Sequence, residues 1–261
     1  MRSFRAVALA ALALMSLSAT GCTSTDTRTP AAAAPVTAGP KVVASTTWAG
    51  ALAKAAGARD ITVIAPPSVQ HPPDYDPRPS DLTAVAGATH VLYAEFDGFA
   101  AKLKEAAGGD GKLVTVALEN TPARIRSEVT RLAAMFGTQA AAGTWLTSFD
   151  AEYAKLSGGV QAARPSPAPT AVTHAFLGYW ADFAGLKVTG SYGPQPVSAG
   201  QLSALTATEP GLVLANAHLP SGNPEISGAT RVDLVNYPEE DLDLLGVFRA
   251  NAASLTTALR G

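Results

Sequence analysis

The sequence predicts an α/β fold of two parallel-sheet lobes joined by a long helix. Three observations carry this. Apolar β-like runs and helical runs alternate four times from Lys41 to Leu118 with short connections, the texture of a parallel sheet. The alternation then stops for two long segments of helical periodicity. It resumes after the proline-rich stretch Arg164-Pro165-Ser166-Pro167-Ala168-Pro169. A composition of 47% hydrophobic and 15% charged residues over 261 positions leaves room for one large or two modest domains.

The elements follow in order. Arg2 and Arg5 precede an apolar run, Ala6 to Leu17, interrupted only by Ser16 and too short for a stable transmembrane helix. Residues 1–21 therefore read as a signal peptide. Ala19-Thr20-Gly21 before Cys22 resembles a bacterial lipobox, in which Cys22 is lipidated; a plain secretory signal with a stray cysteine is the other reading. Residues 22–40 are rich in Thr, Ser, Pro and Ala and predict a disordered tether to the extracytoplasmic face of the membrane.

An N-terminal α/β lobe is expected over residues 41–137, with strands at Val42–Ser45, Asp60–Ala65, Val91–Ala94 and Leu113–Leu118. Helices are expected at Trp48–Ala58, Ser80–Ala86 with Ser80 as N-cap, and Phe99–Ala107. Ile125, Val129, Leu132 and Phe136 form one stripe of the next helix. Trp145, Phe149, Tyr153 and Leu156 form a stripe of the linking helix, assigned to 138–164, and this aromatic stripe reads as packing. The C-terminal lobe, 165–261, should hold strands at Thr170–Thr173, Lys187–Thr189, Leu212–Ala215 and Val232–Val235. Its helices fall at Ala175–Phe183, Ala199–Thr206 and Asp241–Leu259.

Charge and cysteine usage exclude several functions. Loss of Arg2 and Arg5 with the leader takes the formal charge from −2 to −4, so no basic face for nucleic acid is expected. With no cysteine after Cys22 there is neither a disulfide framework nor a cysteine-ligated metal. No nucleophile elbow, metalloprotease helix or phosphate loop points to an enzyme.

Ligands of open parallel sheets sit beyond the carboxyl ends of the strands. His71, His174 and His218 fall there, whereas His90 precedes its strand and reads as structural. His71 stands in Gln70-His71-Pro72-Pro73-Asp74-Tyr75-Asp76-Pro77-Arg78-Pro79, where four prolines should hold an extended loop. Three imidazoles and one carboxylate would suit zinc, and Glu239, with Glu240 as substitute, follows the last strand. Both acids are equally ordinary partners of a helix N-terminus.

Three segments resemble a known family, the metal-binding solute-binding lipoproteins of zinc and manganese ABC transporters (cluster A-I, or cluster 9). They are Lys41–Ser45, Tyr75-Asp76-Pro77-Arg78-Pro79-Ser80-Asp81-Leu82, and Thr173-His174-Ala175-Phe176-Leu177-Gly178-Tyr179 followed by Gly185-Leu186. The resemblance implies a metal held in a cleft between the lobes and handed by a monomeric, lipid-anchored protein to an ABC permease. It carries His174 over as a ligand. The family's first histidine falls at Pro73, and its second, in an Asp-Pro-His-x-Trp segment, is absent where Leu118-Glu119-Asn120-Thr121-Pro122 stands. A frequent Glu falls near Asn216 and the last acidic ligand near Glu239. The ligand set is thus divergent. A rearranged site of His71, His174, His218 and Glu239 would bind a divalent ion, zinc in preference to manganese. Alternatively, a degenerate site of the same fold binds another ligand or a partner protein.

Overall fold

The computed structural model describes residues 39–117 and 119–261; the leader, Cys22 and all but the last two residues of the tether lie outside them. The first lobe runs β1 (Lys41–Ala44), α1 (Thr47–Ala55), β2 (Asp60–Val63), α2 (Pro79–Ala86), β3 (His90–Tyr93), α3 (Ala100–Ala107) and β4 (Leu113–Thr115). Its sheet has the order β2-β1-β3-β4 and every pair is parallel. Val42, Val43, Val91 and Leu92 are buried, as a central strand covered on both faces requires.

Two long helices follow, α4 (Pro122–Phe136) and α5 (Gln139–Ala162). The Thr121 hydroxyl caps α4 by accepting from Arg124 N–H at 3.3 Å, and Gly137, at φ 71°, ends it. The second lobe runs β5 (Thr170–His174), α6 (Gly178–Ala184), β6 (Lys187–Tyr192), α7 (Ala199–Thr206), β7 (Leu212–Asn216), β8 (Thr230–Leu234) and α8 (Leu244–Arg260). Its sheet order, β6-β5-β7-β8, repeats that of the first lobe, again all parallel. The fold class expected from the sequence is the one observed.

The aromatic stripe of α5 is indeed packing. Phe149 meets Phe248 of α8 edge-on at 5.4 Å, and Tyr153 meets Phe183 of α6 at 5.2 Å. Trp180 packs on both Phe183 and Phe248, at 5.0 and 5.1 Å. The long helix is thus cemented to the second lobe by rings. His90 opens β3 and packs its ring on Phe136 at 5.1 Å, on the side away from the strand ends that matter below.

Several boundaries differ from the expected ones, each for a local reason. Helix α2 starts a residue early because Pro79 occupies its first position and Arg78 is the cap. The Asp81 carboxylate, not Ser80, ties the turn by accepting from Arg78 N–H at 2.7 Å. The helix expected from Asp241 starts at Leu244 because Leu242 adopts φ 54°, which no helix accommodates. The segment after His174 first makes a 3-10 turn, Ala175–Leu177, before α6. The proline loop is not simply extended either: Pro72–Asp74 form a 3-10 turn closed by Tyr75 N–H to Pro72 O at 3.1 Å.

Candidate metal-binding cleft

Both sheets reverse strand order beside their first strand, between β1 and β3 and between β5 and β7. That switch point is where loops diverge and a crevice opens. Loops from these strand ends line one large cavity of about 1040 Å³. From the first lobe come Trp48, after β1, and Phe96, after β3; from the second come Phe176, after β5, Asn216, which ends β7, and His218, just beyond it. The proline loop supplies His71, Pro73 and Asp74. It is held to the β3 loop by Gly98 N–H donating to Pro73 O at 2.9 Å, and a Cβ at Gly98 would stand 2.9 Å from that oxygen. Farther along, the Tyr75 hydroxyl donates to Asp81 at 3.0 Å.

His71 and His218 line the cavity from opposite lobes, and Gln70, next to His71, bonds across to the His218 loop. Gln70 Nε2 donates to Ala217 O at 2.8 Å, and His218 Nδ1 lies 3.2 Å from Gln70 O. A carbonyl only accepts, so Nδ1 carries the proton and Nε2 presents its lone pair. That Nε2 is buried with no partner. Burial lowers the pKa of His218, as does the neighbouring His71 charge, while the Gln70 carbonyl opposes them. A lowered pKa favours the neutral ring, the form in which histidine binds metals. His71 Nδ1 stands 2.8 Å from Asp74 Oδ2, though not in hydrogen-bonding alignment.

His174 behaves differently. Its ring is wholly buried, packed edge-on against Tyr192 at 5.5 Å, and it does not line the cavity. Nδ1 accepts from Phe176 N–H at 3.2 Å, which places the proton on Nε2. Nε2 in turn is covered by Gly193: a Cβ there would stand 2.6 Å away, and the residue has φ 80°. Glu239 and Glu240 are exposed and also absent from the cavity wall. Among the described residues, no three His, Cys, Asp or Glu side chains are grouped so as to hold one metal ion. Of the histidines and acids expected at the site, the structure thus places His71 and His218 on one cavity wall and leaves His174, Glu239 and Glu240 off it.

Sequence reasoning passed over much of the wall. Asn120 and Asn236, both buried, meet between the lobes with Nδ2 3.4 Å from Oδ1. Tyr179 and Tyr237 line the cavity as well, and Tyr237 packs edge-on against His218 at 4.8 Å. The available signal was positional: each lies just beyond a strand end or at the start of a helix.

The same chain path occurs in solved structures. The laminin-binding protein Lbp of Streptococcus pyogenes matches at TM-score 0.62 and 19% identity, over 85% of this chain and 100% of its own. The fold is that of a two-lobe solute-binding protein. The laminin-binding protein Lmb of Streptococcus agalactiae, described as bifunctional with adhesin and metal transporting activity, matches at 0.62 and 18%, over 85% and 99%. A deletion mutant of ZnuA with zinc bound matches at 0.61 and 18%, over 84% and 98%. At such identities the likeness establishes the solute-binding fold and nothing finer. No family model and no curated protein matches the sequence.

Proposed function

We propose that this chain is a lipid-anchored, extracytoplasmic solute-binding protein that captures a divalent metal ion, zinc, in the interlobe cleft for delivery to an ABC permease. The observation that carries the reading is His218, which lines the cavity together with His71 of the other lobe: its Nδ1–H is held by a backbone carbonyl and its Nε2 is buried without a partner. Ligating histidines are oriented in this way, the second nitrogen donating to a carbonyl while the first faces the metal. Similarity in fold to a zinc-bound ZnuA and to a protein with metal transporting activity supports the same cargo. Zinc rather than manganese follows from imidazole ligands, since manganese prefers oxygen.

The ligand pair in this proposal is His71 and His218. His174 in its present tautomer has no lone pair on Nε2, and Glu239 or Glu240 would have to swing in from solvent. Nothing in the reading requires catalysis. The anchor at Cys22 and the permease rest on the lipobox resemblance and the fold.

Calorimetric titration of zinc chloride into the full chain tests the metal reading. Binding at one ion per chain, weakened at least tenfold by His218→Ala and little changed by His174→Ala, is expected. Binding indifferent to His218→Ala would overturn it.

A further inference from the structure

His218 is fixed from two sides. Its own lobe holds the backbone: His218 N–H donates to Asn216 Oδ1 at 2.9 Å. Asn223 grips Asn216 in turn, its Oδ1 accepting from Asn216 N–H and its Nδ2 donating to Asn216 O, both at 2.9 Å. The Tyr192 hydroxyl donates to the same Oδ1 at 3.0 Å. None of these bonds reaches the imidazole. The partner of Nδ1, Gln70 O, belongs to the other lobe.

Gln70 is brought to that ring by its own side chain. The turns on either side of it close without it, Val69 N–H on Pro66 O and Asp74 N–H on His71 O, each at 3.0 Å. Among the described residues, both hydrogen bonds of Gln70 run to the His218 loop. Nε2 donates to Ala217 O at 2.8 Å, and the main-chain oxygen faces His218 Nδ1 at 3.2 Å. One residue of the first lobe thus clasps two adjacent residues of the second. Gln70 is exposed, so core packing does not impose this contact.

We infer that Gln70 is a positioning residue for cargo capture. Its side-chain amide anchors the carbonyl that keeps the proton on His218 Nδ1, and so presents the lone pair of Nε2. This rests on the reading of His218 as a ligand and adds that the ligating tautomer belongs to the clasped lobes. Parting the lobes takes the acceptor away from Nδ1. The neutral ring can then lose that proton to water and gain one at Nε2, with no change of charge, and Nε2 no longer ligates. Unclasping and cargo release are therefore coupled.

The test reads the tautomer of His218 by long-range ¹⁵N–¹H NMR on the metal-free full chain. The measurement is made at about pH 8, above the ordinary histidine pKa of about 6.5. Loss of signals in His218→Ala identifies the ring. The parent is expected to show the Nδ1–H form. Gln70→Leu, similar in bulk but without the donor, should give a mixture containing the Nε2–H form at a nearly unchanged melting temperature. It should also weaken zinc chloride binding about tenfold, the lower end of the cost of losing a partner that orients a ligand. An unchanged tautomer in Gln70→Leu would overturn the inference and leave the metal reading standing. So would a shifted tautomer with undiminished zinc affinity. An Nε2–H form in the parent would overturn both. Failure of the parent to bind zinc would remove the metal reading, while the tautomer, read without metal, still decides whether Gln70 sets the ring.

Discussion

His174 and His218 both stand at C-terminal strand ends of one sheet, yet their hydrogen bonds give them opposite tautomers. Phe176 N–H makes Nδ1 of His174 an acceptor; Gln70 O makes Nδ1 of His218 a donor. Only the second leaves Nε2 with a free lone pair, and only that residue lines the cavity. Residue type and position along the strand could not separate these cases, because the partner of His218 lies 148 positions away. Asp97, in the loop after β3, offers a test at the same scale. The residue is 3% exposed, and burial raises the pKa of its carboxyl, against the Ala94 N–H that Oδ2 accepts at 2.9 Å. A folded-state pKa above the unfolded value of about 3.9 means that the folded state holds the proton more tightly. Stability from this group is therefore full at low pH and lost as pH rises from about 4 through the raised value. Asp97→Asn keeps the acceptor and removes the titration. The melting temperature of the variant minus that of the parent should be larger at pH 7 than at pH 4; a constant difference would refute the assignment.

At the scale of elements, the long helix α5 is fixed to the second lobe through its ring stripe. Of its residues only Ala142, Phe149 and Val160 are buried, and Phe149 alone is large. Phe149 stacks on Trp145 at 5.1 Å and meets Phe248 at 5.4 Å. Arg249 of α8 adds a bidentate pair with Glu152, half exposed and so of small net value. Phe149→Ala should cost about 3–5 kcal/mol, the range for emptying a packed aromatic site. Urea unfolding reads it as a lower midpoint at unchanged slope. A loss under 1 kcal/mol would mean that α5 is held by something other than its ring stripe. The stripe was legible beforehand because spacings of four and three on a helix put side chains on one face whatever the partner is. The starts of α2 and α8 were not, because Arg78 and Leu242 set them through backbone conformation rather than through apolar pattern.

For the molecule as a whole, the two sheets share one strand order, and the cleft lies where both orders reverse. The proposed binding through His71 and His218 would engage both lobes, so cargo should stabilise the entire described body. At one hundred times the dissociation constant, a ligand specific for the native state adds about 2.7 kcal/mol. For a domain of this size that amounts to a rise of roughly 5–10 °C in melting temperature. A single transition shifted by zinc in the parent protein, and unshifted in His71→Ala/His218→Ala, is expected by calorimetry. A shift confined to one of two separated transitions would show that cargo touches one lobe only.

The amino-acid sequence by itself determined the α/β alternation, the two-lobe layout, the long linking helix and the strand-end placement of His71, His174 and His218. These follow from periodicity and breaker residues, which act within a few positions along the chain. Tertiary structure decided which of those residues share a wall. Gly193 closes over His174, Glu239 stays in solvent, and Asn120, Asn236, Trp48, Phe96 and Phe176 line the cleft. Such meetings are set by how loops from two sheets converge and by backbone groups far away in sequence. No local pattern encodes them.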